Sequence, residues 1–333
     1  MSVSLRGIIP PVVTPFHADE SLDLPALRTH IDRQLAAGVD GIFVLGTTGE
    51  FYALSDAEKQ AVVAEAVAHV GGRKPVFVGT GAETTREVVR LTKMAEREKA
   101  DGVSVLTPYY LKPTQPELVG HFRRVAANTA LPVVLYNNPA PTGVSIEPDT
   151  VARLAEEKNI VGIKDSSGDL QNTVEIIKRV PATFSVLNGR DTLILAALLF
   201  GAKGAIPATC NIAPNLCVGI YRAWVTGDQA AARRRQDRLA PVRLALTLGT
   251  GNGAVKEALA LLGVPAGPNR RPIQPLSADK KEQLRQVLVT ARLLAPPGHE
   301  GEASADGIPA TGANSPPQVP VPPPRPTPEE PPS

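Results

Sequence analysis

The stretch Asn159-Ile160-Val161-Gly162-Ile163-Lys164-Asp165-Ser166-Ser167-Gly168 decides how the rest of the chain is read. A short apolar run, Ile160 to Ile163, ends in a lysine, and turn-forming residues follow. Runs of this length bounded by turn chemistry have the pattern of a strand buried on both faces. An ammonium at the end of such a strand is desolvated, which works against its charged form. A lysine in that position can attack a carbonyl carbon and form a Schiff base. Two plainer readings stand beside this one: the side chain snorkels out of the strand end, or it pairs with Asp165.

Similar runs begin near Gly7, Gly41, Pro75, Gly102, Pro132, Phe184 and Gly204. Between them the apolar spacing is helical, over Leu24 to Ala37, Asp56 to Val70, Thr85 to Glu98 and Glu117 to Asn128. Pro148 to Glu156, Leu170 to Arg179 and Asp191 to Phe200 continue the series. Ser55 followed by Glu58 has the form of a capping box opening one of these helices. Strand alternating with helix through eight units predicts an α/β fold, a (β/α)8 TIM barrel. A doubly wound open sheet is the alternative; the number of units and the lack of a Gly-x-Gly-x-x-Gly turn after the first strand weigh against it.

Beyond the eighth strand the pattern is helical only: Ala213 to Thr226, Gln229 to Leu248, Ala254 to Leu262 and Ala278 to Leu294. The expected division is a barrel carrying the active site over 1–226, a C-terminal helical appendage over 227–295 and a Pro-rich tail over 296–333. The tail, with Pro322-Pro323-Pro324-Arg325-Pro326, lacks the apolar residues to bury a core and is expected to be disordered. It could present a polyproline II ligand to an unknown partner, but a passive solubilising role is the preferred reading.

The 333 residues are 43% hydrophobic and 20% charged, with a formal net charge of +2, which suits a globular protein with an ample core. That charge gives no reason to expect nucleic acid or an anionic membrane as a partner. No apolar stretch reaches the roughly 18 residues of a membrane-spanning helix. The start, Met-Ser-Val-Ser-Leu-Arg-Gly, has no basic-then-apolar signal pattern. Cys210 and Cys217, taken as lying two turns apart on one helix, are expected to be free thiols in a reducing cytoplasm.

A barrel of this kind keeps its chemistry at the C-terminal ends of the strands. After the second strand stand Thr47 and Thr48, whose hydroxyls and glycine-framed backbone can cradle a carboxylate; an ordinary loop is the plain alternative. Tyr109 and Tyr110 end the fourth strand and Tyr136 the fifth, where a phenol can relay protons or simply pack. Gly249-Thr250-Gly251-Asn252-Gly253 before Lys256 lacks the spacing of a phosphate loop and is read as a helix–helix turn. Arg233-Arg234-Arg235 is read as a solvated face. The five histidines are scattered outside any metal-ligand spacing, so no metal and no cofactor is expected. Without a metal, an aldol-type site stabilises its carbanion through an imine, which again points to lysine.

Four motifs occur in order: Gly46-Thr47-Thr48-Gly49-Glu50, Thr107-Pro108-Tyr109-Tyr110, Leu135-Tyr136-Asn137-x-Pro139-x-x-Thr142-Gly143 and Gly162-Ile163-Lys164-Asp165-Ser166. With them the chain, over about residues 5–295, resembles the dihydrodipicolinate synthase and N-acetylneuraminate lyase family of class I aldolases. The resemblance implies that Lys164 forms a Schiff base with a 2-oxo acid, typically pyruvate, and that Tyr136 is the proton donor and acceptor beside it. It implies that Thr47 and Thr48 bind the carboxylate, and that Thr47 links Tyr136 to Tyr110 of a neighbouring subunit in a homotetramer built as a dimer of dimers. Ile206 matches a position whose backbone touches the pyruvyl unit, and Gly189 and Asp191 match positions facing the second substrate in sugar-acid lyases.

Departures from the pattern bear on the substrate. Enzymes of the family that condense pyruvate with aspartate semialdehyde carry an arginine where this chain has Pro141. The stretch Asn211 to Asp228 and the opening Gly7-Ile8-Ile9-Pro10-Pro11 look more like members that cleave 2-keto-3-deoxy sugar acids. The expected activity is therefore reversible aldol cleavage of such an acid to pyruvate and an aldehyde. The alternatives are 4-hydroxy-tetrahydrodipicolinate synthase, a related dehydratase or deaminase, and a silent 2-oxo-acid sensor or adaptor. A silent barrel has no use for Lys164, Tyr136, Thr47 and Tyr110 together. Lysine-inhibited relatives carry small or imidazole side chains where this chain has Phe51, and Lys59 nearby would oppose a cationic effector, so indifference to lysine is expected.

Overall fold

The computed structural model describes residues 5–296; the tail expected to be disordered lies, from residue 297 on, outside the described residues. Among the described residues the strands are β1 (Gly7–Ile8), β2 (Ile42–Val44), β3 (Val76–Gly79), β4 (Gly102–Leu106), β5 (Val133–Asn137), β6 (Ile160–Asp165), β7 (Ser185–Asn188) and β8 (Gly204–Ala205). The helices running between and outside them are α1 (Leu24–Ala36), α2 (Asp56–Val70), α3 (Thr85–Arg97), α4 (Gln115–Ala126), α5 (Pro139–Thr142) and α6 (Pro148–Leu154). Then come α7 (Leu170–Arg179), α8 (Ile194–Leu199), α9 (Pro214–Val225), α10 (Gln229–Ala245), α11 (Gly253–Leu261) and α12 (Ala278–Thr290).

All eight strands are parallel, in the order β1-β8-β7-β6-β5-β4-β3-β2. The ring closes through a parallel bridge between Pro11 and Phe43. There Val12 donates to the Phe43 carbonyl at 2.9 Å and Phe43 to that of Pro10 at 3.0 Å. The first strand is shorter than its apolar run because Pro10 and Pro11 have no N–H to give a ladder. The expected (β/α)8 barrel is the fold.

Two apolar layers hold it. Leu5, Ile9, Phe43, Phe77, Val134, Leu187 and Ile206 fill the lumen, and a larger cluster lies between strands and helices. Period-two alternation divides β5 between them: Val133 and Leu135 face the helices and Val134 the lumen. Helix starts follow local chemistry. Ser55 and Glu58 form the expected reciprocal capping box on α2, and Asp23, Thr84, Asp169 and Asp228 accept from the first turns of α1, α3, α7 and α10.

The structure departs from the sequence-based expectation at several helix ends and turns. Asp191–Leu193 is a 3-10 turn, and the helix starts only at Ile194. The run from Gln229 stops being α-helical at Ala245 and tightens into a 3-10 turn over Leu246–Leu248. Cys210 and Cys217 do not share a helix: Cys210 sits in a 3-10 turn (Ala208–Asn211) and Cys217 in α9. Pro214 at the start of α9 marks that break. Both thiols are free and buried, and burial followed by the neighbouring Cys217 thiol pushes Cys210 well up.

Candidate active site

The register of β5 and β6 builds the site. Tyr136 is paired directly with Lys164, so both side chains leave the sheet on the lumen face. The Lys164 Nζ lies 4.1 Å from the centroid of the Tyr136 ring and 5.2 Å from that of Phe43. Lys164 is only 4% exposed, so it does not snorkel. Nor does it pair with Asp165. One residue further on, Asp165 points to the opposite face, where Asn137 donates to Oδ1 at 2.9 Å and the Thr173 hydroxyl to Oδ2 at 2.6 Å. Both plain readings of the lysine therefore fail on geometry.

Room for the lysine is made by Gly189 at the end of β7. A Cβ there would fall 1.9 Å from the Ser166 Oγ and 3.1 Å from the Lys164 Cε. A glycine at this position is a close-approach requirement.

Tyr136 is buried beside the lysine, its hydroxyl receiving a hydrogen bond from Asn138 Nδ2 at 3.1 Å and lying 3.5 Å from the Thr47 hydroxyl. Burial alone would push the phenol up. The Lys164 ammonium and hydrogen bonds with Thr47, Lys164 and Ser166 outweigh it and hold the phenol below its ordinary value. A phenol so placed can give up and retake a proton next to a forming carbinolamine.

Thr47 and Thr48 sit in a tight turn in which Gly49 donates to the Gly46 carbonyl at 3.0 Å and Glu50 to that of Thr47 at 3.1 Å. The turn is clamped from the appendage. Asn252 donates through Nδ2 to the carbonyls of Thr47 (2.9 Å) and Thr48 (2.7 Å). Glu50, fully buried in a left-handed backbone conformation, makes a 2.8 Å ion pair with Lys256. Burial lowers the Lys256 ammonium to about 8 although Glu50 opposes that shift. The glycine-rich segment before Lys256 is the expected turn, but it also faces the site.

A cavity of about 420 Å³ joins these groups, in the range of small-molecule sites. Thr47, Thr48, Tyr136, Lys164, Gly189, Asp191 and Ile206 all line it. Asp191 is 1% exposed; the Thr209 N–H donates to its Oδ2 at 2.7 Å, while its buried Oδ1 has no protein partner. Tyr110 does not reach the cavity of its own chain. It stands 91% exposed after β4 with a positive φ of 75°. Tyr109 packs edge-on against Phe51, and burial, aided by Glu83, pushes its phenol up to about 12. Pro141, in α5, is exposed and outside the cavity lining.

Sequence reasoning missed Asn138, Ser166, Arg190, Arg243, Thr247 and Asn252, which also line the cavity. Ser166 and Asn138 stood inside or beside the quoted motifs, and Arg190 lies between Gly189 and Asp191, so position alone could have found them. Arg243 and Asn252 come from the helical appendage, and no local signal marks them.

A profile of the dihydrodipicolinate synthetase family matches residues 4–291. A 4-hydroxy-tetrahydrodipicolinate synthase of Methanoculleus marisnigri is 43% identical over 287 residues, covering 85% of this chain and 98% of the relative. A probable 2-dehydro-3-deoxy-D-pentonate aldolase of Escherichia coli, YjhH, is 40% identical over 296 residues, covering 87% and 98%. Among solved structures, that of YagE, a prophage protein of the dihydrodipicolinic acid synthase family from E. coli K12 in complex with pyruvate, superposes with a TM-score of 0.84. It is 39% identical and the match covers 87% of this chain and 99% of YagE.

Proposed function

The chain belongs to the dihydrodipicolinate synthetase family of carbon–carbon lyases, and within it we propose that Lys164 carries a reversible aldol cleavage of a 2-keto-3-deoxy sugar acid. The observation that carries this is the register pairing of Tyr136 with Lys164 inside a cavity that also holds the Thr47 and Thr48 hydroxyls. The Lys164 amine attacks the C2 carbonyl, and Tyr136 supplies the proton with which the carbinolamine oxygen leaves as water. The iminium draws the electrons of the C3–C4 bond, the C4 hydroxyl gives up its proton, and an aldehyde departs. Protonation of the enamine at C3 and hydrolysis of the imine release pyruvate and restore the amine. Thr47 and Thr48 hold the C1 carboxylate, with Ile206 against the pyruvyl unit and Gly189 and Asp191 facing the part that leaves. The free Oδ1 of Asp191 suits a hydroxyl donor.

Pro141 supports the sugar acid over aspartate semialdehyde, since that position supplies no donor and lies outside the cavity lining. The E. coli pentonate aldolase is one relative of that class, alongside 4-hydroxy-tetrahydrodipicolinate synthases of similar identity. Indifference to lysine is supported separately: Arg90 pairs with both Asp56 and Glu87, leaving them less able to receive a cationic effector. The assembly we propose is a homotetramer in which the exposed Tyr110 completes the Thr47–Tyr136 relay of a neighbour. A cytoplasmic setting suits the two free thiols.

The test is pyruvate release from a panel of 2-keto-3-deoxy sugar acids, with aspartate semialdehyde condensation run alongside, with and without millimolar-range lysine. Cleavage of a sugar acid and weak, lysine-insensitive condensation are expected. Efficient condensation suppressed by lysine would show the chain to be a 4-hydroxy-tetrahydrodipicolinate synthase.

A further inference from the structure

Asn138 lines the cavity and has no part in the cleavage described above. It stands two residues after Tyr136, on the same side of the extended chain. Asn137 between them turns the other way, donating to Asp165 Oδ1 at 2.9 Å and accepting from Ile146 N at 3.0 Å. The backbone of Asn138 is fixed by the short helix it precedes: its carbonyl accepts from the Thr142 hydroxyl at 2.8 Å and from the Thr142 N–H at 3.4 Å. From that anchored position Nδ2 lies 3.1 Å from the Tyr136 hydroxyl oxygen.

The direction of this bond limits what the phenol can do. An amide N–H donates and cannot accept, so the phenol oxygen receives a hydrogen bond from Asn138 and keeps its own proton for another partner. The partners left to it include the Thr47 hydroxyl, 3.5 Å away, and, during reaction, the carbinolamine oxygen. An N–H aimed at an oxygen also favours the anionic form of that oxygen, because the bond strengthens as charge develops.

We propose that Asn138 is a positioning residue for proton transfer: its amide turns the Tyr136 proton towards the reacting centre and stabilises the phenolate left when that proton is given up. This rests on the Schiff-base reading of Lys164 and adds a residue to it. In the dehydration step the lone pair of the Lys164 nitrogen forms the C=N bond, the carbinolamine C–O bond breaks, and the oxygen leaves as water with the Tyr136 proton. The phenolate keeps Asn138 as a fixed donor until hydrolysis of the imine returns a proton from water. Lys164 on β6 is the charged group against the Tyr136 ring, and Arg190 and Asp191 after β7 and Arg243 on α10 share the cavity. Replacing Asn138 by leucine alters none of these charges.

Exchange of the pyruvate methyl hydrogens in deuterated water, followed by NMR on the full-length protein, reads the imine chemistry without a second substrate. In Asn138→Leu, which removes the donor, kcat for exchange should fall about tenfold, the scale of a hydrogen bond to a charged group. KM for pyruvate and Tm should stay as in the wild type, since the carboxylate is held at Thr47 and Thr48. The kcat–pH profile reports the imine complex, in which Lys164 no longer titrates as an amine. Its alkaline limb, where Tyr136 loses its proton, should move to higher pH in Asn138→Leu, because losing a donor to the charged form raises a phenol. Asn138→Asp has nearly the same shape but accepts only, and should fall further as its carboxylate takes up the phenol proton. An unmoved alkaline limb, a change confined to KM, or an Asn138→Asp variant as active as the wild type overturns the proposal. No exchange in the wild type, or exchange that survives in Lys164→Ala, overturns the imine reading and the proposal with it.

Discussion

Two buried histidines tie the stability of the protein to acid. His30 in α1 is fully buried, its Nε2 2.8 Å from Asn211 Oδ1, and burial lowers it to about 4 although Asn211 opposes the shift. His121 in α4 is 6% exposed, with Nδ1 2.9 Å from the Thr85 hydroxyl, and burial lowers it to about 4 as well. An unfolded chain takes up protons on both near pH 6.5, and the folded one does so only near pH 4. Stability is therefore full above pH 6.5 and is lost as pH falls towards 4, by about 3 kcal/mol for each ring. Thermal unfolding followed from pH 7 to 5, above the range in which the arginine-paired Glu58 and Glu87 titrate, should show Tm falling steadily. His121→Gln should fall less steeply; an unchanged slope contradicts the assignment. At this scale much of the site was legible. Lys164 and Tyr136 were found because the motifs that contain them stand in order along the chain; alone, a strand-end lysine could equally snorkel or pair and a strand-end tyrosine could simply pack. Arg190 and Arg243 were not, because an arginine in a loop or on a helix looks the same whether it faces solvent or a cavity.

Among the elements, strands were easier to read than the ends of helices. Apolar runs bounded by Gly, Pro and Asn located all eight strands, because a strand buried on both faces has no polar positions to blur its limits. Helix ends shifted where tertiary bonds intervene. Gln236 Nε2 donates to the Asp191 carbonyl at 2.9 Å and its Oε1 accepts from Leu195 N at 3.0 Å, tying the start of α8 to α10 and drawing Asp191–Leu193 into a 3-10 turn. The four-residue helix α5 escaped notice because Pro139-Ala140-Pro141-Thr142 has too few residues to show a period. Least visible was the part played by the appendage. Asn252 and Lys256 fix the turn bearing Thr47 and Thr48 from about 200 positions further along the chain, a distance at which sequence patterns carry no signal.

For the molecule as a whole, the single chain forms a cavity with a buried amine, a phenol and a hydroxyl pair, and leaves Tyr110 and Leu111 standing out at 91% and 74% exposure. A large apolar-faced pair in that state fits insertion into another subunit. If so, Tyr110→Phe should lower kcat about tenfold or more with little change in Tm, since only one relaying hydroxyl is lost. Sedimentation at assay concentration should show an assembly, and a fully active monomer would contradict the shared relay.

The central claim, that Lys164 is the nucleophile, is tested most directly by reducing the protein with borohydride in the presence of pyruvate and mapping the adduct by peptide mass spectrometry. The account predicts one three-carbon adduct per chain, on Lys164, and none in a folded Lys164→Ala variant. An adduct on Lys256 or any other lysine, or labelling that persists in Lys164→Ala, would contradict it.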